Sequence, residues 1–137
     1  MAGSRKFSAR GQAIARGYKS GLEDDNATLI KEKTGSVAYE TKKIPWLDSK
    51  QRSYRPDFIL PNGIIIETKG YFTAADRRKH VEVTKQHPDL DIRFVFTNPK
   101  TYYSKKTTAN RKTYADWCQS NGYQYAAKLI PEEWFDE

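Results

Sequence analysis

The run Arg55-Pro56-Asp57-Phe58-Ile59-Leu60-Pro61-Asn62-Gly63-Ile64-Ile65-Ile66-Glu67-Thr68-Lys69-Gly70 constrains this chain more than any other segment. It reads as two hydrophobic strands joined by a tight turn, with Asp57 on the first strand and Glu67 and Lys69 on the second. Charges in so apolar a hairpin are costly unless they are paired or bind metal. A two-residue Asn62-Gly63 loop sets Phe58 against Glu67 and turns Asp57 to the other face. A three-residue Pro61-Asn62-Gly63 loop sets Leu60 against Ile64 and Asp57 against Glu67, about 5 Å apart at Cβ. The residues favour the longer loop: Pro suits the first central position of a type I turn, Asn the second, and Gly the left-handed residue after it. Two carboxylates that close repel unless a cation lies between them. Oxygen donors suit Mg²⁺ or Mn²⁺ better than zinc, and the Thr68 carbonyl offers one more oxygen. The plainer alternative is an ordinary salt bridge from Lys69 to Glu67 at a sheet edge.

Around this hairpin the pattern predicts an α/β domain with a mixed sheet. Ser20 caps a helix from about Gly21 to Lys33, with Gly35 as its stop. Val37, Tyr39 and Thr41 alternate with polar residues and predict a strand. Residues 45–53 read as a polar connector, the best position for a hinge. Thr73 opens a helix to about Gln86, stopped by Pro88. Asp91–Thr97 is a strand with Ile92, Phe94 and Phe96 on one face. Thr113 caps a helix ended by Asn121-Gly122, and a short strand near Tyr123–Ala126 and a turn at Pro131–Trp134 follow. Trp46, Trp117 and Trp134 are expected in a core or dimer contact. His80 and His87 lack a ligand cluster and are expected to be structural or surface residues.

The formal charge is +7 over 137 residues, and it is segregated. Arg5, Lys6, Arg10, Arg16 and Lys19 fall in an acid-free stretch, as do Lys100, Lys105, Lys106, Arg111 and Lys112, while the last 25 residues are net acidic. Arg77, Arg78 and Lys79 open the second helix. A basic, aromatic-rich chain arranged this way fits a nucleic-acid partner, with these cations other than Lys100 as candidate phosphate contacts. Residues 1–17 read as a flexible basic arm and 18–137 as one domain. Cys118 is the sole cysteine, so neither an intrachain disulfide nor a cysteine zinc site is expected. No apolar run reaches membrane-spanning length, and a reducing cytoplasm is the expected compartment.

Pro56-Asp57, nine residues, then Glu67-Thr68-Lys69 resembles the pattern of the PD-(D/E)xK nuclease superfamily. Further blocks in the same order resemble the bacteriophage endonuclease I family of Holliday-junction-resolving enzymes. They are Ser20–Asp24, Tyr54–Gly70, Arg78-Lys79-His80, Gln86–Arg93 and Lys128–Trp134. The resemblance implies a restriction-endonuclease-like core, a mixed sheet flanked by helices, and an intertwined, segment-swapped homodimer. Residues 18–45 would be exchanged between subunits across a connector at 46–53, leaving 54–137 as the catalytic core. It also implies a Mg²⁺-dependent enzyme (Mn²⁺ substituting) that cuts four-way junctions and other branched DNA in the host cytoplasm. Asp57 and Glu67 would bind the first ion, Lys69 would orient the attacking water, and Glu23, from the other subunit, would help hold a second ion. Asp136-Glu137 departs from the family, which can carry a basic tail after the Glu-Trp pair. The rivals are a restriction-type or mismatch-nicking enzyme on the same scaffold and a non-catalytic DNA-binding module.

Overall fold

The computed structural model describes residues 13–48, 51–104 and 111–137. In chain order its elements are α1 (Gly21–Thr34), β1 (Ile44–Leu47), β2 (Gln51–Tyr54), β3 (Phe58–Ile59), β4 (Ile65–Lys69), α2 (Ala74–Gln86), β5 (Ile92–Phe96), α3 (Tyr114–Asn121), β6 (Tyr125–Ala127) and a closing 3₁₀ turn at Glu132–Phe135.

The hairpin has the longer loop. Phe58 pairs with Ile66 and Ile59 with Ile65. The Leu60 N–H donates to the Ile64 carbonyl and the Gly63 N–H to the Leu60 carbonyl, both at 2.8 Å. Gly63 takes φ +92°, the left-handed conformation this turn demands. From β4 the chain crosses through α2 to β5, which lies parallel to β4, and then through α3 to β6, parallel to β5. The resulting mixed sheet has the order β3-β4-β5-β6. Its central strands are buried along almost their whole length, as strands covered on both faces must be.

One face of the sheet carries Ile65, Ile92, Phe94 and Phe96 and packs on Phe72, Val83, Tyr114 and Trp117. The other carries Phe58, Ile64, Ile66 and Val95 and packs on Ala27 and Ile30 of α1 and on Ile130 and Trp134. The buried Asn26 side chain ties α1 down, donating to the Lys128 carbonyl at 3.0 Å and accepting from the Ile130 N–H at 2.9 Å. The helix starts follow the sequence: the Ser20 hydroxyl accepts from the Glu23 N–H, and Thr73 and Thr113 form reciprocal capping boxes with Asp76 and Asp116. Trp46, Trp117 and Trp134 all lie in the core. Cys118 is free and buried, and burial pushes its thiol up to about 12.

Two local expectations fail. No strand forms over Val37–Thr41; Tyr39 makes a single bridge to Phe58, and Glu40 breaks the extended run with φ +50°. Where the sequence reads a polar connector at 46–53, β1 and β2 instead pair antiparallel, Ile44 with Tyr54 and Trp46 with Arg52. Ile44, Trp46 and Tyr54 point into the core, and the Gln86 side chain brackets Leu47 with hydrogen bonds of 2.6 and 2.7 Å. Among the described residues, no helix is long and apolar enough to cross a membrane.

Candidate active site

The pairing of β3 with β4 brings Asp57, the residue just before β3 begins, opposite Glu67. Free of the ladder, the Asp57 side chain turns to Thr68 and accepts from its N–H at 2.9 Å and from its hydroxyl at 3.0 Å, both through Oδ2. Glu67 is 2% exposed, and its Oε1 accepts a hydrogen bond from the Tyr54 hydroxyl. Burial pushes the Glu67 carboxyl well above the ordinary carboxylate range, and the Asp57 charge pushes it further; Lys69 and the Tyr54 hydroxyl act the other way. Asp57 lies beside Glu67, close enough for the two carboxyl groups to meet. Two neighbouring carboxylates, one of them buried, occupy a place a cation fills better.

Lys69, two residues along β4, does not settle on Glu67. Its ammonium lies 3.7 Å from Asp76 Oδ1, while Asp76 Oδ2 accepts from the Thr73 N–H at 3.2 Å. Asp76 thus caps α2 and anchors the lysine with one side chain.

Glu23 reaches the same corner from the first turn of α1, within this one chain. Its Oε2 accepts from the Tyr39 hydroxyl and from the Lys19 N–H at 3.2 Å. Burial raises its pKa most; the Tyr39 bond opposes this, and the charge of Asp57 adds to the rise. Among the described residues no three or more acids, histidines or cysteines are already drawn together as a metal cage. The donor set nevertheless fits a hard divalent ion: all oxygens, two neighbouring carboxylates, and a third carboxylate within electrostatic reach.

The candidate DNA contacts fall into groups. Arg5, Lys6, Arg10, Lys105 and Lys106 lie outside the described residues. Arg16 is ion-paired with Asp24, and Lys19 with Glu40 at 2.7 Å. Arg77 donates to the Phe72 carbonyl at 2.6 Å and lies 4.3 Å over the Tyr103 ring. The Lys79 ammonium sits 5.6 Å over Tyr54, and Arg111 4.0 Å over Tyr102. Arg78 and Lys112 are exposed.

Sequence reasoning missed Tyr39, Tyr54 and Asp76. The two tyrosines carry no signal, since packing between distant segments creates their roles. Asp76 carries one: three residues after Thr73, it completes a capping box. His80 is fully buried, edge-on to Tyr54 and Phe94 at 5.3 and 5.0 Å, and held neutral by burial and by the charges of Lys69 and Lys79. His87 bonds through its ring to the Pro45 carbonyl.

Fold and site together define an α/β protein with a carboxylate–lysine cluster at the end of a central strand. All 137 residues match the family described as Phage endonuclease I, and the chain belongs to it. Endonuclease I of Escherichia phage T7 is 39% identical over 132 residues, covering 96% of this chain and 87% of that protein. Endodeoxyribonuclease 1 of Enterobacteria phage T3 is 42% identical over 117 residues, covering 85% of this chain and 75% of that protein.

Proposed function

We propose that this protein is a phage DNA endonuclease acting in the host cytoplasm, which hydrolyses phosphodiesters with Mg²⁺ and resolves four-way junctions and other branched DNA. One observation carries the reading: Asp57 lies across the hairpin from Glu67 with Lys69 two residues further on, three charged groups assembled where an apolar hairpin would exclude them. Membership of an endonuclease family supports it.

Asp57 and Glu67, with the Thr68 carbonyl, would hold the ion, and Glu23 would contribute to a second. Bound there, Mg²⁺ supplies charge for the scissile phosphate and a more acidic water. Lys69, positioned by Asp76, orients the attacking water and offsets the negative charge that grows on the phosphate. Arg78 and Lys112, both exposed, would track backbone phosphates, where shape rather than base sequence governs selection.

Paired cuts on two strands call for two sites, and a two-fold dimer supplies them. The β1–β2 pair is the natural place for exchange. Opened into one continuous segment, it carries α1, with Glu23 and Asn26, to the core of a second copy, where the same contacts form between subunits.

The test sets an immobile four-way junction beside linear duplex of the same sequence, with and without Mg²⁺, and counts subunits by sedimentation. The expected result is Mg²⁺-dependent cutting of the junction by a dimer. Equal rates on linear duplex would make the protein a different nuclease on this scaffold. Junction bound but uncut in Mg²⁺ would reject the reading.

A further inference from the structure

We propose that Tyr54 and Tyr39 are positioning residues for the divalent ion: each hydroxyl holds one oxygen of a buried glutamate and leaves the other for the metal. This rests on the metal-dependent reading above.

The two tyrosines come from unrelated places, Tyr54 from the end of β2 and Tyr39 from the irregular stretch after α1, yet both hydroxyls arrive at carboxylates in one corner. Tyr54 bonds Oε1 of Glu67, and Tyr39 bonds Oε2 of Glu23. Among the described residues, Glu23 Oε1 accepts no hydrogen bond, and beyond the Tyr54 hydroxyl the Glu67 carboxyl is met only by the Asp57 carboxyl, its fellow candidate ligand. Other bonded tyrosine hydroxyls among the described residues meet backbone or neutral side chains: that of Tyr114 accepts from the Phe72 N–H at 3.2 Å, that of Tyr123 donates to the His80 carbonyl at 2.9 Å and lies 2.6 Å from the Thr84 hydroxyl, and that of Tyr125 accepts from the Gln119 amide at 3.1 Å.

Neither ring can swing. Tyr54 is 1% exposed, edge-on to His80. Tyr39 is wedged between Tyr18, edge-on at 4.8 Å, and Phe58 at 5.3 Å. A locked ring fixes its hydroxyl in space, and the hydroxyl selects one orientation of a carboxylate that otherwise rotates freely about its last bond. The chemistry of the donor matters as much as its position. A phenol is neutral, so it orients the anion without cancelling its charge; an arginine or lysine there would compete with the ion. Partners of this kind typically change metal affinity by about tenfold or more.

The test measures Mn²⁺ binding to the full chain without DNA, by calorimetry and by the loss of the free-ion paramagnetic resonance signal. Asp57→Asn should remove binding. Tyr54→Phe and Tyr39→Phe should each weaken it about tenfold or more, while both variants bind a four-way junction as tightly as the parent in the absence of divalent ions. Tyr114→Phe, which removes an equally buried hydroxyl away from the carboxylates, should leave Mn²⁺ affinity unchanged. If Tyr54→Phe fails to fold, the half-buried Tyr39→Phe decides. Phe variants that bind Mn²⁺ like the parent overturn the proposal, and so does a Tyr114→Phe that weakens binding as much. A parent that takes up no Mn²⁺, or an Asp57→Asn that binds normally, brings down the underlying metal reading and this inference with it.

Discussion

Two buried charges sit on adjacent strands of one sheet, and the chain treats them in opposite ways. Arg93 of β5, 3% exposed, lies across from Ile66 on the α1 face. Its guanidinium binds both Asp91 oxygens at 2.9 and 2.8 Å and both Glu137 oxygens at 2.6 and 2.8 Å, and it lies 5.2 Å over the Trp134 ring. Glu67 of β4 lies across from Phe94 on the opposite face, with another carboxylate as its neighbour and a neutral phenol as its donor. In the first cluster the buried charge meets opposite charge within the chain, on two half-exposed carboxylates, and ties the segment around Glu137 to the sheet. The second sets a buried carboxylate beside another carboxylate, a like-charge contact that a fold selected for stability alone would not keep. Equal burial therefore says little about role; whether the charge is balanced inside the chain says much more.

The largest expected effect tests the unbalanced side. Glu67→Gln keeps the shape of the side chain but removes its charge, and single-turnover cleavage of a four-way junction should fall about 10³-fold, roughly 4 kcal/mol of transition-state stabilisation. Junction binding in a gel-shift assay should survive. Cleavage at the parent rate would leave Glu67 as an odd core residue and dissolve the contrast. The balanced side predicts the reverse pattern. Arg93→Ala should lower unfolding free energy in urea by about 3 kcal/mol, through lost packing on Trp134 and two stranded carboxylates. Arg93→Met should recover much of that loss, and the cleavage rate per folded molecule should not move in either variant. An Arg93→Met protein that folds but does not cut would show that this cluster, too, serves the reaction.

How far this contrast was legible in the sequence differs between its halves. Asp57, Glu67 and Lys69 could be placed because the Pro61-Asn62-Gly63 turn has one comfortable geometry, and that geometry sets the register of every residue behind it. The helix starts were legible for a similar local reason, a Ser or Thr three residues before an N–H that it can cap. Arg93 was not read as buried, because its partner Glu137 lies 44 residues away. Tyr54 and Tyr39 are 13 and 16 residues from the carboxylates they hold, beyond any helical or strand period. The strand β2 was missed because Gln51, Arg52 and Ser53 are all exposed, which erases the alternation that marks a strand, and β1 because its exposed positions, Pro45 and Leu47, are as apolar as its buried ones. The expected strand at Val37–Thr41 failed at Glu40, whose backbone conformation no residue pattern announced.

The unbalanced charge should also be visible as a pH effect without DNA. The folded-state pKa of Glu67 is raised, so the native protein holds a proton that the unfolded chain has released. Metal-free stability should therefore fall as pH rises from the ordinary carboxylate pKa toward the raised native value, by up to about 1.4 kcal/mol per pH unit, and level off above it. Urea midpoints across this window should show the slope in the parent, lose it in Glu67→Gln, and flatten when Mg²⁺ is added. Arg93→Met should leave the slope in place, since its cluster does not touch the pair. A parent whose stability is flat across the window would mean that the two carboxylates are already neutralised within the chain, like Arg93.

The smallest effect concerns the one group that joins stability to chemistry. Asp76 caps α2 through Oδ2 and holds Lys69 through Oδ1. In Asp76→Asn the amide oxygen still accepts from the Thr73 N–H, so the cap survives and stability should change by less than about 1 kcal/mol. The lysine, however, loses its anionic anchor, and a misplaced catalytic group should slow cleavage by about tenfold while leaving Mg²⁺ dependence and junction affinity unaltered. Asp76→Ala separates the two duties, because it removes the cap as well and should add a stability loss of about 1 kcal/mol to the same rate defect. If the two variants differ in rate as well as in stability, Lys69 is placed by the helix start as a whole rather than by the Asp76 charge.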